Sequence, residues 1–83
     1  MYKYVVRWSL GGERHSYENN DRDCALNYFW RAMRMGYNVD ISSGITGEIF
    51  AYHYEDDSYY MAPEWSAIVI DYLMRSAWGY PSP

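Results

Sequence analysis

The strongest constraint in this chain is a glycine pair preceded by an alternating run. Over residues 2–10, Tyr4, Val6, Trp8 and Leu10 alternate with Lys3, Val5, Arg7 and Ser9, the period of two that a half-buried strand requires. Gly11-Gly12 follows, and glycines accept the positive φ that tight hairpin turns demand, so residues 13–18 read as the returning strand. The polarity of that return predicts a sheet edge, and it also limits pairing with other chains.

The rest of the chain continues in the same style. Asn20 and Asp21 offer N-cap oxygens, Asp23 places an anion near the first turn, and Gly36 stands where a C′ glycine ends a helix. The helix between them carries Ala25, Leu26, Phe29, Trp30 and Met33 at helical spacing, with Arg22, Asn27, Arg31 and Arg34 largely on the other side. Residues 37–42 and 48–54 alternate as two strands of a hairpin, residues 55–58 form a turn, and residues 59–61 form a short returning strand. Pro63 suits a first helical position, Glu64 favours the positive end, and Trp65, Ile68, Val69, Tyr72, Leu73 and Met74 occupy helix-spaced sites up to Gly79. The β-branched run Ile68-Val69-Ile70 keeps a strand as the alternative over 65–78.

Strand, strand, helix, strand, strand, short strand, helix predicts an α+β fold: a small antiparallel sheet with two helices packed on one face. With 83 residues there is room for one domain, placed at 1–79, with 80–83 as a frayed tail. Hydrophobic residues are 49% of the chain, enough for a single core, in which Trp8, Phe29, Trp30 and Trp65 are expected.

Cysteine usage and hydropathy bear on the compartment. The lone Cys24 cannot close an internal disulfide, which a small secreted domain ordinarily needs, so a reducing cytoplasm is expected. The N-terminal apolar stretch contains Lys3 and Arg7 and does not resemble a targeting peptide. The longest apolar run, 67–74, is broken by Asp71 and falls well short of the roughly 20 residues that span a bilayer, so no membrane partner is expected.

The net charge of -4 is unevenly spread. Residues 1–34 hold six basic and four acidic side chains, for +2, whereas residues 35–83 hold Arg75 against seven acids, for -6. An acidic half repels phosphate backbones, which disfavours direct nucleic-acid binding and favours a basic protein or nucleoprotein partner.

No catalytic signature is present, and the chain reads as a non-enzyme with no cofactor. His15, His53 and Cys24 lack zinc-ligand spacing, and they are read as two surface imidazoles and an ordinary buried thiol. No nucleophile is placed beside His53. Glu55-Asp56-Asp57 lacks the alternating ligands and sixth-position glycine of an EF-hand loop, and adjacent acids in a turn are well solvated. Gly11-Gly12 is too short a glycine pattern to cradle phosphate.

Tyr52, Tyr54, Tyr59 and Tyr60 flank the acidic turn, and alternation cannot bury Phe50, Tyr52 and Tyr54 along with Ile49, Ala51 and His53 unless both sheet faces are covered. Some of these tyrosines are therefore exposed, and tyrosine contributes large, rigid contact area at interfaces. Tyr52, Tyr54, Tyr59 and Tyr60 with Glu55, Asp56, Asp57 and Glu64 form the expected partner-binding surface, against the ordinary reading that the tyrosines fill the core.

In shortness, acidity, strand-turn-strand-helix start and aromatic excess, the chain resembles the small acidic proteins that phages encode against host defences, notably anti-CRISPR proteins. That resemblance implies a non-enzymatic inhibitor in the host cytoplasm that blocks a basic nucleic-acid channel sterically or by charge mimicry. Two other readings stand beside it. One is a single-stranded nucleic-acid binder using sheet aromatics with Lys3, Arg7, Arg14, Arg31 and Arg34; the other is a homo-oligomeric structural subunit, such as a homodimer.

Overall fold

In the computed structural model, residues 1–78 are described. The first hairpin pairs β1 (Tyr4–Leu10) with β2 (Glu13–Asn19) through Gly11 and Gly12, both at positive φ. Helix α1 (Arg22–Arg34) follows, then β3 (Asn38–Ser43), β4 (Ile49–His53), β5 (Tyr59–Met61) and α2 (Pro63–Trp78). The element order is the one the sequence predicts, and residues 65–78 are helix, not strand. The Gly79 stop and the tail at 80–83 lie outside the described residues.

All strand pairs are antiparallel, in the order β2-β1-β3-β4-β5. Both β2 and β3 run opposite to β1 and are therefore parallel to each other, and α1 is the crossover between them. The helix is capped as its sequence demands. Asp21 accepts from the N–H groups of Asp23 at 2.8 Å and Cys24 at 3.2 Å, and Gly36 follows the last turn at φ 86°.

Registers sort the strand residues into two faces. Tyr4, Val6 and Trp8 lie level with Asn19, Tyr17 and His15 on one side and with Ser43, Ile41 and Val39 on the other. Both helices cover this face: Tyr28 of α1 meets Trp8 and Tyr17, and Trp65 of α2 meets Tyr4 and Phe50. Val6, Val39, Ile41 and Ala51 of the sheet are buried there against Ala25, Leu26, Phe29 and Ala32 of α1 and Trp65 and Val69 of α2. The loop after β3 passes close to the N-terminus. A Cβ at Gly44 would collide with the carbonyl oxygen of Tyr2, so only glycine fits without backbone movement.

Three expectations need correction. Cys24 is exposed, not buried, because it sits in the first turn of α1 away from the Ala25–Phe29 side. Trp30 stays outside the core and lies under the Arg34 guanidinium at 5.9 Å, because the buried stripe of α1 runs through Ala32 instead. Trp8 is half-buried beside the core, whereas Phe29 and Trp65 are buried as expected.

Candidate functional site

The face of the sheet opposite the helices carries three neighbouring tyrosines, Tyr60 exposed and Tyr52 and Tyr54 half-buried. Its residues include Arg14, Ser16 and Glu18 of β2, Val5, Arg7 and Ser9 of β1, Asn38, Asp40 and Ser42 of β3, Ile49 and Tyr52 of β4 and Tyr60 of β5. Tyr52 pairs with Tyr60 across the strands, with ring centroids 5.8 Å apart, and stacks on Tyr54 two residues on at 4.5 Å and 14°. Three phenol rings thus form one slab.

A bulge explains how Tyr52 and Phe50 part company. The β3–β4 register shifts between Ile41 and Ser42: Ile41 faces Ala51, but Ser42 faces Ile49, and Phe50 is the extra residue. Phe50 therefore joins the helix-covered side and stacks on Trp65 at 4.5 Å and 12°. Strict alternation would have left it beside Tyr52.

The acidic turn abuts the slab. Tyr54 N–H donates to the Ser58 carbonyl and Asp57 N–H donates to the Tyr54 carbonyl, both at 2.9 Å, while Asp57 takes φ 66°. The Asp56 carboxylate accepts from Ser58 Oγ at 2.6 Å and from Ser58 N–H at 3.0 Å, and these bonds pull its pKa below the usual carboxylate value. The Asn38 side chain accepts from Glu55 N–H at 2.9 Å and ties the turn to β3. Glu55 and Asp57 are exposed, with Asp57 Oδ1 3.8 Å from His53 Nε2.

The remaining expected residues lie elsewhere. Tyr59 is level with His53, on the helix side of the β5 edge, and is 75% exposed. Glu64 is exposed in the first turn of α2, past the other end of β5 from the acidic turn. Tyr52, Tyr54 and Tyr60 with Glu55, Asp56 and Asp57 are brought together; Tyr59 and Glu64 are not among them.

The structure adds residues that the expected partner-binding surface did not include. A shallow depression of about 390 Å³ is lined by Arg7, Arg14, Asn38, Asp40 and Tyr54, which brings cations of the N-terminal half beside the tyrosines. Arg7 Nε lies 3.4 Å from Asp40 Oδ1 across the β1–β3 pair. Burial pushes the Asp40 carboxyl above its ordinary pKa, against the lowering pull of Arg7. Burial and the nearby Asp40 charge likewise raise the Tyr54 phenol. The hairpin register alone, with Arg14 opposite Ser9, was the signal that could have located Arg14 on this face.

On the covered side, an almost wholly apolar cleft of about 120 Å³ runs between the helices and the β4–β5 edge, lined by Leu26, Phe29, Met33, Met61 and Val69. His53 also lines it, its Nδ1 buried without a hydrogen-bond partner and its Nε2 facing Asp57, so this imidazole is half-buried rather than the surface residue expected. Among the described residues, no group of three or more His, Cys, Asp or Glu side chains is gathered as a metal site would require, and no helix is long and apolar enough to cross a membrane. Compared with protein-family models, with curated proteins and with solved structures, the chain matches none.

Proposed function

We propose that this protein is a non-enzymatic binding module that docks its tyrosine slab and acidic turn on a basic surface of a protein partner and blocks that surface. The observation that carries the reading is the continuity of Tyr52, Tyr54 and Tyr60 with Glu55 and Asp57, on a sheet face that neither helix covers. Stacked phenols lose little entropy on docking, and the carboxylates beside them select arginine-rich or lysine-rich surfaces and steer approach. An inhibitor of the anti-CRISPR type, occupying a nucleic-acid channel of a host protein, is the form of this reading that the acidity and small size favour.

One observation favours a second reading. Arg7 and Arg14 share the depression with Tyr54, an arrangement that also suits a single-stranded nucleic acid with stacked bases. Asp40 beside Arg7, and Glu18 on the same face as Arg14, offset those cations, which is why the protein-docking reading is preferred.

Amide and ring NMR titrations at low salt separate the two, using an arginine-rich peptide in one arm and oligothymidine in the other. The first reading expects salt-sensitive shifts at Tyr52, Tyr54, Tyr60 and residues 55–57 with the peptide, weakened in the double variant E55Q/D57N. Shifts with oligothymidine alone, centred on Arg7 and Arg14, would replace it with the second. Asp56 is left intact in this test because its bonds to Ser58 hold the turn.

A further inference from the structure

We infer that β2 is a self-complementary edge through which two copies of this chain join their sheets, antiparallel and centred on Ser16. β2 ends the sheet, and among the described residues no strand lies beyond it. Which of its backbone groups are unspent follows from the hairpin. Gly11 and Gly12, at φ 57° and 92°, make a two-residue loop closing on the Leu10–Glu13 pair, and the pair flanking such a loop is hydrogen-bonded. Bonding alternates along an antiparallel ladder, so Glu13, His15, Tyr17 and Asn19 turn their N–H and C=O groups to β1. Arg14, Ser16 and Glu18 turn theirs outward.

Placing Ser16 opposite its own copy sets Arg14 opposite Glu18, Glu18 opposite Arg14, His15 opposite Tyr17 and Glu13 opposite Asn19. This register uses all of Glu13–Asn19. It also makes outward-turned residues meet outward-turned residues, so the ladder continues without a break. Arg14 and Glu18 project from the same face, so each cross-copy pair is a direct neighbour of opposite charge, which stabilises a sheet. Other registers are worse. A slip of one residue breaks the hydrogen-bond alternation, a slip of two leaves Arg14 or Glu18 opposite Ser16, and a slip of four sets Arg14 against Arg14 or Glu18 against Glu18. The polarity of this edge therefore discriminates among partners: it disfavours generic strands and favours a second copy.

The join would give ten strands in the order β5-β4-β3-β1-β2 and its mirror, with both open faces on one side. At roughly 4.8 Å per strand step, the two tyrosine slabs would lie about 40 Å apart. This inference does not depend on what the slab binds.

Sedimentation equilibrium of the full chain over a wide concentration range tests the idea. The wild type should show a concentration-dependent dimer, and proton exchange at the Arg14, Ser16 and Glu18 amides should slow as the dimer fills. R14E and E18R should each weaken self-association by roughly thirtyfold, because each turns two attractive pairs into two repulsive ones. Mixing R14E with E18R should restore a dimer, now a heterodimer, and R14E/E18R in one chain should self-associate to within about threefold of wild type. A wild type that stays monomeric at millimolar concentration overturns the inference. So does a dimer indifferent to R14E and E18R, or charge variants whose mixture fails to associate while each keeps its circular dichroism.

Discussion

Two aromatic stacks of nearly the same geometry stand on opposite faces of this sheet. Phe50 lies on Trp65 at 4.5 Å and 12° under the helices, and Tyr52 lies on Tyr54 at 4.5 Å and 14° on the uncovered side. The first pair has no hydroxyl and is packed with the buried core; the second carries two phenols and borders an acidic turn. Stacking as such therefore says little about role. What surrounds the rings decides it: apolar side chains on one face, and carboxylates, arginines and water on the other.

The contrast breaks most visibly at the core. Leu26→Ala or Ile41→Ala should lower unfolding free energy by about 2–5 kcal/mol in urea titrations, because both side chains are essentially fully buried. Tyr60→Ala, at an exposed position, should cost under about 1 kcal/mol in the same assay, and the half-buried Tyr52→Ala should fall between the two. A large loss at Tyr60 would make the slab a structural element and undercut its role in docking.

Gly44→Ala ranks next. The added Cβ meets backbone rather than a flexible side chain, so the Tyr2 segment or the β3–β4 loop must move, at a cost of about 1–3 kcal/mol. Unchanged thermal stability would show that the N-terminal residues yield freely.

Smaller again is the effect of the turn. Asp56→Ala removes two bonds to Ser58 and should loosen residues 54–58, read as faster amide exchange at Asp57 and Ser58, with the global unfolding midpoint nearly unmoved.

The smallest effect is a pH dependence. Asp40 holds its proton more tightly in the folded chain than in the unfolded one, so its contribution to stability is greatest in acid. That contribution is lost as pH rises from the ordinary carboxylate value of 3.8 through the raised folded value. Asp40→Asn should therefore gain stability relative to wild type between pH 3 and pH 6, read from paired thermal melts. A relative loss over that window would show that Arg7 outweighs burial.

Much of the fold is legible in the chain because its signals are local. Asp21 caps α1, Gly36 ends it, and Gly11-Gly12 closes the first hairpin, each through bonds or dihedrals spanning a few residues. The acidic turn is equally local, since Asp56 and Ser58 lie two residues apart. Cys24 and Trp30 were misplaced because helical spacing defines a stripe but not its centre, and only the packing of Ala32 against the sheet rotates the stripe into place.

By itself, then, the sequence determined the seven elements in order, the antiparallel character of the sheet, the polarity of its β2 edge and the concentration of acid after residue 35. Tertiary structure alone decided that β1 would sit between β2 and β3, that Arg7 and Arg14 would share a face with Tyr54, and that a bulge would send Phe50 inward while Tyr52 stayed out. The reason is range. Periodicity and capping act over one or two turns of chain, whereas strand order and register depend on contacts between residues tens of positions apart, which no local pattern encodes.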